Sequence, residues 1–170
     1  MTRREAREHC FKMLFSADFY EDKEEAKEQL AEYADGPQED EVDQEGHLTI
    51  LHKADLSEEE AKALTSRVRA IMDRIPEIDG KVDQVAAGWK TRRMGKVELT
   101  IIRLAVYEMA WDESIPEKVA INEAVELAKR FGGKDSPAFV NGILARLASP
   151  KEADAAQLEK PAEADAATEA

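Results

Sequence analysis

Three arginines, Arg3, Arg4 and Arg7, fall in the first two turns of the helix with which the sequence opens. That end of a helix carries partial positive charge, so it is the unfavourable place for cations. Two readings are open. The cluster is either a solvated surface turn that tolerates a penalty of roughly 0.3–1 kcal/mol each, or an anion site where guanidinium and backbone N–H groups point at the same phosphates. A second group, Lys134, Asp135 and Phe139, occupies a tight corner between two helices. Phe139 lies about 100° around its helix from Val140. It is therefore either an aromatic at the edge of the core or a platform on which a base could stack beside Lys134 and Asp135.

Catalytic chemistry has little support. The sequence has no glycine-rich phosphate loop, no nucleophile motif and no cluster of metal ligands. Cys10 falls on the apolar face of the first helix and reads as a core residue. His9 is its neighbour but points about 100° away, so the two form no natural dyad. His47 and His52 flank Leu48, Ile50 and Leu51 with no cysteine or third histidine nearby, which reads as incidental rather than metal-binding. Carboxylates abound, but they concentrate where nothing excludes water. The expectation is a non-enzymatic protein without a cofactor.

The net charge of −13, taken whole, argues against a nucleic-acid partner. Its distribution argues the other way. Residues 21–60 carry three basic and sixteen acidic side chains, and residues 148–170 carry two and six. Residues 1–20, with four and three, and residues 61–147, with fifteen and twelve, are net basic. Nucleic acid responds to local charge, so the overall balance misleads. A single cysteine allows no internal disulfide, which suits a reducing compartment. No apolar run reaches the length of a membrane span, and no signal-peptide core follows Met1. A cytoplasmic protein without a membrane role is expected.

The elements that must position these groups are helices. Thr2 with Glu5 fits a capping box and opens a helix over 2–20, with Ala6, Cys10, Met13, Leu14 and Ala17 inward. A short polar helix over 24–34 precedes an acidic stretch, 35–47, read as a mobile loop. Ser57 with Glu60 caps a helix over 58–75 that Pro76 should end. The next helix runs from Ile78 to Trp89, with Ile78, Val82, Val85 and Trp89 inward, Trp89 reading as a core anchor with an interface role left open. After the basic connector Thr91–Lys96, residues 97–111 are apolar nearly all round and should form the central helix. Arg103 and Glu108 interrupt it and should pair with neighbours or reach an edge. Ile121, Ala124, Val125, Ala128 and Phe131 form a stripe on the following helix. Gly132-Gly133 can end it in the left-handed conformation. Ser136 as N-cap and Pro137 at the first helical position then open the last helix. The fold class is all-α with about seven helices. The organisation is one domain over 1–150 with an acidic insertion at about 21–57, followed by a disordered acidic tail over 151–170.

The run from Lys118 to Lys129, followed by Phe131-Gly132 and by Phe139-Val140-Asn141-Gly142, resembles the signature of the NusB transcription antitermination family. The likeness continues through Leu104 to Glu108 and returns from Arg3 to Leu14. It covers most of the chain outside residues 21–57 and the tail after Pro150. The resemblance implies two small helical bundles packed together. It also implies binding of the ribosomal protein NusE and joint recognition of the boxA element of nascent ribosomal RNA transcripts, within an RNA polymerase antitermination complex. By the same likeness Arg3, Arg4 and Arg7 hold phosphates, and Lys134, Asp135 and Phe139 meet single-stranded bases. Lys12 joins this RNA-binding set at a position where relatives often carry glutamine. Phe15 stands where they often carry tyrosine; it keeps a ring, lacks the hydroxyl, and belongs with Glu98 to the NusE-binding set. Monomer and homodimer are both open. NusB-like domains also front some RNA cytosine methyltransferases, but this sequence lacks a cofactor-binding glycine fingerprint and room for the domain. The rival reading is a helical protein–protein scaffold that shows no salt-dependent RNA affinity.

Overall fold

The computed structural model describes residues 1–35, 38–42, 48–53, 56–86 and 88–148, with side chains left out at 34, 35, 38–42 and 48–53. The expected disordered tail over 151–170 lies outside the described residues. Six α-helices and a short hairpin follow one another: α1 Arg3–Ala17, α2 Lys23–Asp35, β1 Gln38–Val42, β2 Leu48–Lys53, α3 Glu58–Val85, a 3-10 turn Thr91–Arg93, α4 Lys96–Trp111, α5 Glu117–Phe131 and α6 Ser136–Leu147. The fold is all-α, as expected. No helix among the described residues is long and apolar enough to cross a membrane. The chain divides into two compact units, Met1–Met72 and Asp73–Ala170, with the boundary inside α3.

In the first unit both expected capping boxes form. The Glu5 N–H donates to Thr2 Oγ1 at 3.1 Å, and the Thr2 N–H donates to Glu5 Oε2 at 3.1 Å. Ser57 and Glu60 repeat the exchange at 3.1 and 3.0 Å. The Ser57 N–H, and after it the Met1 ammonium, hold the Glu60 carboxyl below its ordinary value. α1 buries Cys10, Phe11, Met13, Leu14 and Ala17, and α2 packs on it with Ala26 and Leu30 inside. His9 turns away from Cys10 and bonds through Nδ1 to the Tyr33 hydroxyl at 2.7 Å. Burial pushes the Tyr33 phenol up to about 12, with a smaller contribution from Cys10.

The acidic stretch departs from expectation. Residues 38–42 were expected in a loop, yet they pair antiparallel with β2, Val42 opposite Leu48 and Gln38 opposite Lys53, with an irregularity between Glu39 and Asp40. Leu48-Thr49-Ile50-Leu51 has strand-forming residue types, and a backbone ladder needs no large apolar side chain on the partner strand. The remainder of the expected loop, residues 36–37 and 43–47, lies outside the described residues.

Pro76 does not end a helix. α3 runs through it, so the two helices expected over 58–75 and 78–89 are one. An interior proline costs about 3 kcal/mol. Ile71, Met72, Ile78 and Val82 flank it and are all buried, and burial contributes about 1.5–3 kcal/mol for each such side chain. The burial outweighs the lost hydrogen bond. This merger reduces seven expected α-helices to six.

In the second unit α4 is the central element, packed against both α5 and α6. Nine of its residues are buried, from Leu99 to Val106 and at Glu108. Arg103 forms a bidentate pair with Asp79 of α3, Nε to Oδ1 at 2.9 Å and Nη2 to Oδ2 at 2.7 Å. The α5 seam is Ala120, Ala124, Leu127 and Ala128. Ile121, Val125 and Phe131, expected on the stripe, lie at its half-buried edge. Small residues at the centre of the seam let α5 approach α4 and α6 closely.

Candidate nucleic-acid and partner interface

The first group of expected site residues lies along α1. At 100° per residue, Arg7, Arg4, Phe15 and Lys12 follow one another around an arc of about 140°, with Arg3 just beyond Arg7. Arg3 and Arg4 are exposed, while Arg7, Lys12 and Phe15 are half-buried. The one acid of the first turn, Glu5, is engaged with Thr2. Phe15 sits in an aromatic row between buried Phe11, at 5.9 Å, and exposed Phe19, at 5.2 Å. The ring is fixed from beneath and open at one side.

The second group gathers at the start of α6. Lys134 and Asp135 are exposed and Phe139 is half-buried. The corner that carries them is built differently from expectation. Gly132 ends α5 in an extended conformation, φ −98° and ψ −175°, so no left-handed glycine is needed there. A Cβ on Gly132 would instead lie 2.6 Å from both Cβ and Oγ of Ser136 and 2.9 Å from the Ala128 carbonyl. Glycine is required by close approach. Asp135 is the N-cap and makes no side-chain capping bond, so Ser136 and Pro137 fall one position later than expected.

This shift frees the Ser136 hydroxyl for another task. It is buried, accepts from the Gly133 N–H at 3.0 Å, and donates to Glu98 Oε2. Glu98, in the first turn of α4, is therefore half-buried and tied across to α6. An O–H donor to a carboxylate is a strong, charge-assisted bond. Glu98 fixes the start of α4 to the corner that displays Lys134, Asp135 and Phe139.

Trp89 is the functional candidate that sequence reasoning misplaced. It was expected inward on a helix running to residue 89. Instead α3 stops at Val85, Gly88 takes φ +82°, and Trp89 stands 57 % exposed. Its ring meets Phe139 edge to face, centroids 6.4 Å apart and planes at 78°. The available signal was Gly88 itself, a residue that breaks helical register one position before the tryptophan. Among the described residues no three His, Cys, Asp or Glu side chains gather as metal ligands.

Comparison with known proteins gives a consistent picture. A family model described as the NusB family matches residues 4–149. A transcription antitermination protein NusB of Agathobacter rectalis is 45 % identical over 148 residues, 87 % of this chain and 100 % of that protein. Among solved structures, T. maritima NusB superposes with a TM-score of 0.66 at 30 % identity, covering 89 % of this chain and 96 % of that one. A crystal structure of antitermination factors NusB and NusE in complex with double-stranded RNA shares the fold, with a TM-score of 0.62 at 21 % identity over 86 % of this chain and 97 % of that one.

Proposed function

This chain belongs to the NusB family, and on that ground we propose that it serves transcription antitermination by binding boxA RNA of nascent ribosomal RNA transcripts together with NusE, within the RNA polymerase antitermination complex. The observation that supports RNA recognition most directly is the corner before α6. There a half-buried Phe139 stands beside exposed Lys134 and Asp135 on a scaffold held by the Glu98–Ser136 bond. An aromatic face, a cation and a hydrogen-bonding carboxylate at one place suit an unstacked base with its phosphate. Arg3, Arg4 and Arg7, with Lys12, bind phosphates along α1. Phe15 in the first unit and Glu98 in the second each contact NusE. The mechanism is recognition, with no bond made or broken, and the setting is the cytoplasm. Residues 1–150 are the binding body and residues 151–170 an appended acidic tail.

A titration of boxA-type RNA with and without NusE, repeated across salt concentrations, tests the proposal. RNA affinity that rises with NusE and falls with salt supports it. Absence of salt-dependent RNA affinity, with NusE binding kept, leaves the protein–protein scaffold as the function. Within the same experiment Glu98→Lys should weaken NusE binding. Loss of the charge-assisted Ser136 bond adds a stability cost of about 1.5–3 kcal/mol. Unchanged NusE affinity by calorimetry removes Glu98 from that surface.

A further inference from the structure

Trp89 and Val119 are the large apolar side chains that the described part of the second unit leaves exposed. Trp89 differs in being held there. Gly88 precedes it at φ +82°, a conformation that a Cβ disfavours. The residues after it are clamped to one side chain and its backbone. The Thr91 N–H donates to Asp83 Oδ1 at 2.7 Å and the Thr91 hydroxyl to Oδ2 at 3.3 Å. Lys90 Nζ reaches the Asp83 carbonyl at 2.8 Å. An exposed indole on a clamped segment is ordered before any ligand arrives, which lowers the entropy lost on binding.

The surroundings specify the ligand. Residues 88–96 contain Lys90, Arg92, Arg93 and Lys96 and no acid, in a chain whose net charge is −13. All four are exposed. The edge-to-face packing with Phe139 leaves Trp89 57 % exposed. Flat aromatic faces flanked by cations suit a nucleotide, whose base stacks while its phosphate pairs. We propose that Trp89 is a second base-stacking platform continuous with Phe139, and that Arg92 and Arg93 of the adjoining 3-10 turn hold the phosphate of the nucleotide stacked there. The site thus takes two unpaired nucleotides where Phe139 alone would take one. This rests on the RNA-binding reading above.

The test uses the full chain with NusE and a single-stranded boxA-type RNA. Trp89→Ala should weaken RNA affinity about five- to a hundredfold, the span of one base–aromatic stack, while Trp89→Tyr restores most of it. NusE affinity and melting temperature should move little, because the ring is exposed. In a Trp111→Phe background Trp89 is the sole tryptophan, and RNA should quench its emission. If that variant does not fold, the difference in emission between parent and Trp89→Phe gives the same readout. The double substitution Arg92→Gln/Arg93→Gln should flatten the salt dependence by about 0.7 for each phosphate left without its cation. A parent that binds RNA with Trp89→Ala equal to it overturns this proposal and leaves the antitermination reading standing. A parent that binds no RNA overturns both. Weaker NusE binding with unchanged RNA affinity would make the patch a protein-docking surface. Weaker RNA binding without quenching would reduce Trp89 to a support for Phe139. Either of these last two results also overturns the proposal.

Discussion

α1 and the corner before α6 display the groups proposed for recognition in opposite ways. On α1 the groups belong to one regular helix, so spacing alone sets their directions, and Arg3 and Arg4 are exposed. Such charges act over a distance and lose strength with salt. At the corner the groups come from the segment after α3, the start of α4, the end of α5 and the start of α6. They are pinned by Asp83 on Thr91, Ser136 on Glu98 and Phe139 against Trp89. Stacking on the rings held there depends on shape and is only weakly salt-sensitive, whereas the cations beside them share the salt dependence of α1. The difference suggests a division of labour in which α1 supplies affinity through charge and the corner supplies selection through fit.

The largest effect should come from loosening the packing of α4 on α3 in the second unit. Asp79→Ala removes the bidentate partner of Arg103, whose side chain is 10 % exposed. Breaking a buried pair costs about 3–5 kcal/mol. Because Asp79 is itself 23 % exposed, the lower end, about 3 kcal/mol, is expected in urea unfolding. A loss below about 1 kcal/mol would show that the second unit does not depend on this pair.

Phe139→Ala comes next and separates the two surfaces. It should lower RNA affinity roughly ten- to a hundredfold with the salt slope unchanged. Its stability cost should fall below the roughly 3–5 kcal/mol of a fully buried phenylalanine, because the ring is half-buried. A large stability loss with unchanged affinity per folded molecule would make it a core residue only.

Replacing Arg3, Arg4 and Arg7 together with glutamine should give the opposite signature. Affinity drops at low salt, and the slope of log affinity against log salt flattens by about 0.7 for each phosphate no longer neutralised. If the slope does not change, the division of labour proposed for α1 fails.

The smallest effect concerns the start of α3. The carboxyl of Glu60 titrates below its ordinary 4.5 in the folded protein. Its contribution is therefore present above that value and disappears as pH falls through the lower, folded one. Melting temperature followed from about pH 6 to about pH 3 should decline slightly less steeply for Glu60→Gln than for the parent. Parallel curves would mean that the capping box contributes nothing measurable there.

Most of the helices were legible because each carries its own local signal. The two capping boxes stand at Thr2–Glu5 and Ser57–Glu60 as their spacing implied, and the apolar girdle of α4 placed it at the centre. Pro76 was misleading because a local rule about a missing N–H gave no weight to the burial of Ile71 and Ile78 on either side. At Gly132 the residue type was legible but its reason was not. A sequence shows that a side chain is absent, and only the fold shows that Ser136 fills the space.

The directions of Arg3, Arg4 and Arg7 were determined by the sequence itself, since helical periodicity is a property of neighbouring residues. The likeness of the Lys118–Gly142 run to the NusB family was equally contained in residue order. Tertiary structure alone decided that Glu98 and Ser136 meet, 38 positions apart. It alone decided that Trp89 leaves the core to stand against Phe139, 50 residues later. No local pattern encodes such meetings, because the distance between residues far apart in the chain is set by how whole helices pack.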